Sequence, residues 1–417
     1  MGNICGKKLL ILGSSSRTID IINQARKMGV YTIVADWNPV EKAPVKLAAD
    51  EHWEISLLDY DAMSKKIKER GVNGIITGFT DSYLLPYQHL CEINNLPSYA
   101  TKEVFETTLD KSKFKAFCRA HDVPVVPEYD LKTFDPSTIS KDHQVFIKPV
   151  DNSGSRGIAK CDDPAKFQEC LEYSLSFSKK KQVVIEKYFD WDSISMSYTI
   201  QDGEISLSSI DDRYVHKAAK AGATTCGSIY PSKYTDAYLE KVNDRVRKMY
   251  QSLGVKNGVL FIQGFTNGEE FYFYEMGYRL SGGRHYVFTE YENKTSSVEQ
   301  LIHFSLTGKM ADYCIAERDN PKFKDLCCRV NILGKSDCIE KIEGKEYLQS
   351  IPEVIDVAFL LKEGDMVGAD GSMAQHIATV NMIVPNKQKF LTIIEDIGKN
   401  FRVLNKNGEN LVIDLLT

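Results

Sequence analysis

No two of the ten cysteines in this 417-residue chain are spaced Cys-x2-Cys, and the one close pair, Cys327-Cys328, is adjacent. Adjacency suits neither a disulfide framework nor zinc ligation, so reduced thiols in the cytoplasm are expected. Apolar runs are short. None approaches the ~18 residues a membrane span needs, and the run Leu9-Leu10-Ile11-Leu12 is too short for a signal peptide. Basic runs are scarce as well. The longest is Lys179-Lys180-Lys181, and the net charge is -5, so neither a nucleic-acid nor a membrane partner is expected. Gly6 stands where a myristoylation signal needs Ser or Thr. The chain also lacks G-x-x-x-x-G-K-[ST] and G-x-G-x-x-G, and neither a Ser-His-Asp arrangement nor a zinc motif can be read from it.

What is present is ordinary globular material, 43% hydrophobic and 26% charged, with length enough for two or three domains. Residues 8–14 read as a buried strand ending in a turn, 17–29 as a helix closed by Gly29, and 31–35 as a second strand followed by Asp36. With a helix at 61–70 and a strand at 72–77, the first hundred residues predict a small parallel α/β domain. An acid after the second strand also fits a dinucleotide site, but the turn Gly13-Ser14-Ser15-Ser16 is not the phosphate-binding pattern. A helix at 103–121 carries Lys111 and Lys113. Strands are expected at 145–150, 157–161, 182–186, 194–200 and 204–210, helices at 164–177 and 235–253, and a hairpin at 258–276.

Several segments carry chemistry. The polar loop Asp151-Asn152-Ser153-Gly154-Ser155-Arg156-Gly157 lies between two strands, where Ser and backbone N–H groups can cradle phosphate oxygens. Lys148, between Ile147 and Pro149, is costly to bury without an anionic partner. Lys148 and the loop together fit a nucleoside triphosphate. Glu186-Lys187-Tyr188-Phe189 ends a strand that can offer backbone groups to a purine edge. Gln263 and Glu275 fall on one strand face if the connecting loop has odd length, and their oxygens then suit Mg²⁺ or Mn²⁺. Arg279 and Arg284 flank a Ser-Gly-Gly turn and offer bidentate anion contacts. His216 sits in a small-residue stretch that reads as mobile, placed for substrate contact or proton transfer.

The succession Lys111, Lys148, the 151–157 loop, Glu186, Gln263, Glu275, Arg279 resembles the ATP-grasp superfamily, in the branch of carbamoyl-phosphate synthetase, biotin carboxylase and amino-acid ligases. The resemblance implies an α/β protein (α+β in the ATP-grasp part): a preATP-grasp domain over 1–105, an ATP-grasp domain over 106–330 with its lid at about 122–190, and a C-terminal closing domain over 331–417. It also implies roles. Lys111 and Lys148 hold the phosphates of ATP, with Ser153, Gly154, Ser155 and Gly157 in the lid above them. Glu186, Lys187, Tyr188 and Phe189 hold adenine, and Gln263 and Glu275 hold Mg²⁺ or Mn²⁺. Arg279, with Arg284 and His216 nearby, serves the acyl group and its acceptor. Ile229-Tyr230-Pro231-Ser232 resembles a substrate-loop segment of amino-acid ligases. Gln263 stands where most relatives have Glu, Gly277 where most have an Asn ligand, and Ser193 where many have a ribose-binding acid. The implied activity joins a small-molecule carboxylate to an amine or thiol through an acyl phosphate, with release of ADP and phosphate; many relatives dimerise. A bicarbonate- or carbamate-activating enzyme and a non-catalytic nucleotide-binding protein are the alternatives.

Overall fold

The computed structural model describes residues 4–150, 157–217, 223–413 and 415. Ser153, Gly154 and Ser155 lie outside the described residues. The first unit contains β1 (Lys8–Leu12), α1 (Thr18–Lys27), β2 (Tyr31–Ala35), β3 (Glu51–Trp53), α2 (Tyr60–Arg70), β4 (Gly74–Thr77) and α3 (Leu84–Ile93). Its strands are parallel in the order β3-β2-β1-β4. The order in which strands are added reverses at β1, with β2 and β3 on one side and β4 on the other, and in open parallel sheets ligands bind beyond the strand carboxyl ends at such a switch.

The predicted single helix at 103–121 is two: α4 (Lys102–Leu109) and α5 (Lys111–Arg119). Asp110 takes an extended conformation between them, and its carboxylate accepts from the N–H groups of Ser112 and Lys113, capping α5. Lys111 thereby becomes the first residue of a helix. A four-stranded layer follows, made of β5 (Glu128–Tyr129), β6 (Val145–Pro149), β7 (Ala159–Cys161) and β8 (Val183–Lys187) in the order β5-β8-β6-β7, with α6 (Phe167–Ser176) packed on it. Its core is small, with Ile139, Val145, Ile147, Cys161 and Ile185 fully buried.

The rest of the chain builds one large sheet: β9 (Asp192–Gln201), β10 (Glu204–Lys217), β11 (Ala223–Tyr230), α7 (Thr235–Lys241), α8 (Asn243–Ser252), β12 (Gly258–Thr266), β13 (Phe271–Gly277), α9 (Tyr286–Glu292), α10 (Ser297–Thr307), β14 (Leu326–Leu333), β15 (Lys341–Glu343), α11 (Lys345–Ser350), β16 (Val354–Phe359), β17 (His376–Val384), α12 (Lys387–Asn400) and β18 (Arg402–Leu404). Eight strands pair in the order β13-β12-β9-β10-β11-β14-β17-β16, while β15 and β18 form a separate pair. The expected boundary at 330/331 therefore cuts through β14, and the C-terminal strands extend the central sheet. Along β9, Ile194, Met196, Tyr198 and Ile200 alternate with Ser193, Ser195, Ser197 and Thr199. One face enters the main hydrophobic core and the other is polar though buried. Among the described residues no helix is long and apolar enough to cross a membrane.

Candidate active site

The polar face of the large sheet floors a cavity of about 550 Å³. Ser195 and Ser197 of β9, Asp211 and Arg213 of β10, Gln263 of β12, Glu275 of β13, Arg329 of β14 and His376 of β17 line it. The facing wall is the switch point of the parallel unit: Ser15, Ser16 and Arg17 after β1, and Phe79, Thr80, Asp81 and Ser82 after β4. The segment Ser281-Gly282-Gly283 closes one side, and Tyr230, from the segment likened to a substrate loop, lines the cavity too.

Gln263 and Glu275 are direct cross-strand partners. The expected odd-length loop is absent. Thr266 pairs with Phe271, which leaves a four-residue loop, and an irregularity opposite Gln263/Gly264 supplies the extra residue. This β-bulge flips the register by one and brings both side chains to the same face. Ser195 pairs with Gln263 and Asp211 pairs with Ser195, extending the row across the sheet. The Gln263 oxygen accepts from Arg213 Nη1 at 2.9 Å and from the Tyr274 hydroxyl at 3.4 Å. Gly277, where a third ligand was expected, has no room for a side chain: a Cβ there would lie 2.4 Å from the Phe261 ring. Phe261 in turn carries the Arg279 guanidinium, 5.1 Å from its centroid. Among the described residues no group of three or more His, Cys, Asp and Glu side chains gathers. One carboxylate beside one amide oxygen suits an ion that takes few protein ligands and completes its shell with phosphates and water, as Mg²⁺ does.

The lysines cluster at the other end of the site. Glu186, 3% exposed, lies between Lys115 and Lys148 and is paired with both. Burial raises its carboxyl pKa, but the charges of Lys148 and Lys115 outweigh burial and bring it down to about 2. The Glu186 carboxylate is thus an ion-pair partner, and Lys148 has its anionic partner within the protein. Lys115 was not anticipated, although it lies one helical turn after Lys111. Burial pushes the Lys111 ammonium below its ordinary value, opposed by Glu275 and Glu186. Lys111 thus connects the lysine cluster electrostatically to the Gln263–Glu275 face.

Lys187 Nζ lies 5.1 Å over the Phe189 ring, and Phe189 stacks on Tyr272 with centroids 5.0 Å apart. The Tyr188 hydroxyl donates to Asp190. The backbone N–H groups of Lys187 and Tyr188 already donate to Pro127 and Gln144. Gly157 has φ +79°, and a Cβ there would lie 2.4 Å from Phe177, so the end of the polar loop requires glycine.

Three placements differ from expectation. Arg279 is buried and gripped by Asp81, Nε–Oδ1 2.5 Å and Nη2–Oδ2 2.8 Å, while its Nη1 donates to the Leu280 carbonyl. It lines the cavity, yet its fork is occupied. Arg284 does not line the cavity. It bridges Asp20 of α1, Nε–Oδ2 2.8 Å, and Asp356 of β16, joining the parallel unit to the far edge of the large sheet. His216 also lies off the cavity, at the end of β10 opposite Thr224, with Nε2 3.5 Å from Asp370. Arg17, Asp81, Arg213 and Arg329 line the cavity and were not singled out. For Arg329 the signal was there: like Lys148, it is a lone charge in an apolar strand, Leu-Cys-Cys-Arg-Val-Asn-Ile-Leu.

No protein-family model matches the chain. It is 22% identical over 413 residues to "Uncharacterized protein y4rH" of Sinorhizobium fredii, covering 93% of this chain and 81% of that one. It is 22% identical over 267 residues to "ATP-grasp enzyme fsqD" of Aspergillus fumigatus, covering 58% of this chain and 44% of that one. The structure superposes on L-amino acid ligase from Bacillus licheniformis with a TM-score of 0.78 at 16% identity, over 97% of this chain and 100% of the ligase. The chain has the ATP-grasp fold. The chain spans less than half the length of the fungal ATP-grasp relative.

Proposed function

We propose that the protein is an ATP-dependent ligase that activates a small-molecule carboxylate as an acyl phosphate and transfers the acyl group to an amine, releasing ADP and phosphate. The observation that carries this reading is the position of Glu275. It lines the cavity with Arg213 and Arg279, and its charge acts on both and on Lys111. A phosphoryl group crossing from ATP to a carboxylate in the cavity passes this junction.

In this reading Lys111 and Lys148 orient the phosphates, and Phe189 with its aromatic neighbours walls the base. Gln263 and Glu275 hold Mg²⁺, which neutralises developing charge on the terminal phosphate when bound. A carboxylate oxygen attacks the terminal phosphorus and ADP leaves. The amine nitrogen then attacks the acyl carbon, phosphate departs with one former carboxylate oxygen, and the amine loses a proton. Arg213 and Arg279 face the acyl phosphate, and the buried cavity limits competing hydrolysis. The likeness to L-amino acid ligase supports the acceptor class. All ten cysteines are free thiols, which supports a cytoplasmic location. The deciding experiment follows oxygen-18 from a labelled carboxylate substrate. Labelled phosphate together with ADP is expected; AMP and pyrophosphate, or unlabelled phosphate, would overturn the mechanism.

A further inference from the structure

The cavity arginines divide into two kinds. Arg279 has Asp81. Arg213 donates to Gln263, Tyr274 and Thr225, with the charges of Asp211 and Glu275 nearby. Arg17 and Arg329, at the end away from Glu275, form no ion pair with a carboxylate among the described residues. Arg17 Nη1 donates to the Gly282 carbonyl and Arg329 Nη1 to the Gly283 carbonyl. Arg329 Nη2 donates to Ser228 Oγ at 2.7 Å, and its Nε is buried without a partner. Gly283 is what permits this approach, since a Cβ there would lie 2.8 Å from Arg329 Nη1.

The nearby acids form no ion pair with either of these two arginines. Asp20 is held by Arg284 and by the Tyr286 hydroxyl at 2.5 Å. Burial raises the Asp211 carboxyl pKa and the charge of Arg329 opposes that rise, but no ion pair joins the two. Burial and the charge of Arg329 together push the Arg17 guanidinium down to about 10. They also hold two imidazoles neutral: His285 falls to about 4, and His376, which feels Arg17 as well, to about 3. His285 Nδ1 is buried without a partner. Ser15 and Ser16, ahead of α1, line the same place, while the Thr18 and Asp20 N–H groups of that helix already donate to the Ser15 and Arg17 carbonyls. Two guanidinium groups held together out of water are costly unless an anion joins them.

We infer that Arg17 and Arg329 bind an anionic group of the acceptor substrate, a carboxylate or a phosphate, so that the acceptor is an amine bearing a permanent negative charge. The word acceptor rests on the ligase reading; the anion site does not. A neutral isostere of such an acceptor leaves both guanidinium groups uncompensated and is rejected for that reason.

The test is calorimetric titration of the full chain, saturated with a non-hydrolysable ATP analogue and magnesium so that the nucleotide phosphate positions are filled. Inorganic phosphate and acetate are the probes. We expect one anion per chain, with affinity at least tenfold weaker in Arg17→Gln and in Arg329→Gln and little changed in Arg279→Gln. Thermal midpoints report folding. Should Arg329→Gln fail to fold, the less buried Arg17→Gln carries the test. Phosphate binding well above acetate assigns a phosphorylated acceptor, and comparable binding assigns a carboxylate. Absence of binding, or binding lost in Arg279→Gln but kept in the other two variants, overturns the proposal. If the analogue itself does not bind, the ligase reading falls, while titration without it still tests the arginine pair through the same variants.

Discussion

Two groups of cations face the reaction space, and the fold handles them differently. Beside the four-stranded layer, Lys115 and Lys148 share one buried carboxylate, Glu186, and Lys115 also pairs with Glu128, so the cluster is largely neutralised within the protein. In the cavity, Arg17 and Arg329 rest on backbone carbonyls and a serine hydroxyl, with no carboxylate between them. Buried charge of the first kind maintains itself whether or not a ligand is present. Charge of the second kind, held by carbonyls and a hydroxyl, is left for an anion from outside to complete. Arg279 is a third case, neutralised by Asp81 from the parallel unit yet lining the cavity.

The largest effect expected from breaking this arrangement is in the self-compensated cluster. Glu186→Gln leaves Lys148 without an anion and Lys115 with Glu128 alone, and should cost about 3–5 kcal/mol of stability by denaturant titration. The carboxyl pKa is depressed in the folded state, so the stabilisation is full above the unfolded value of 4.5 and is lost as pH falls toward about 2. The difference between wild type and variant should narrow through that window; a difference constant with pH would remove Glu186 from the account. Arg284→Ala comes next. It strands Asp20 and Asp356 and should cost about 1.5–3 kcal/mol, with nucleotide affinity unchanged in calorimetry. A large loss of nucleotide affinity would move Arg284 into the site.

Arg279→Lys keeps the charge but gives up the planar fork on Asp81 and the stack on Phe261. Turnover, read as ADP release, should fall about ten- to a hundredfold, a loss on the order of 1.4–2.7 kcal/mol, with little change in ATP affinity. Full activity would show that cavity cations on this side are interchangeable. The smallest effect is expected at His216, off the cavity beside Asp370. His216→Ala should leave turnover within about twofold, as surface ion pairs contribute little. A collapse of turnover would return His216 to the chemistry.

Much of the architecture could be read from local pattern. Alternation along 194–200 and the Gly29 stop after the first helix are short-range signals, and the structure follows them. Asp110 was equally local, but helical periodicity ran across it and hid the break between α4 and α5. The Gln263–Glu275 pairing could be posed from the sequence but not solved, because parity depended on a bulge at Tyr274 rather than on loop length. Phe261 filling the space above Gly277 could not be read at all, since the two meet only through strand pairing.

The sequence by itself determined the order of the chemistry-bearing residues and the α/β character of the chain, because those depend on residue type and on periods of two and 3.6. Tertiary structure decided which charges are neutralised. Lys148 and Arg329 look alike as lone cations in apolar strands; one meets Glu186 across a neighbouring strand, and the other meets only carbonyls and hydroxyls. Register, the bulge and the docking of the parallel unit set those meetings, and each joins residues far apart in the chain, where local pattern carries no information.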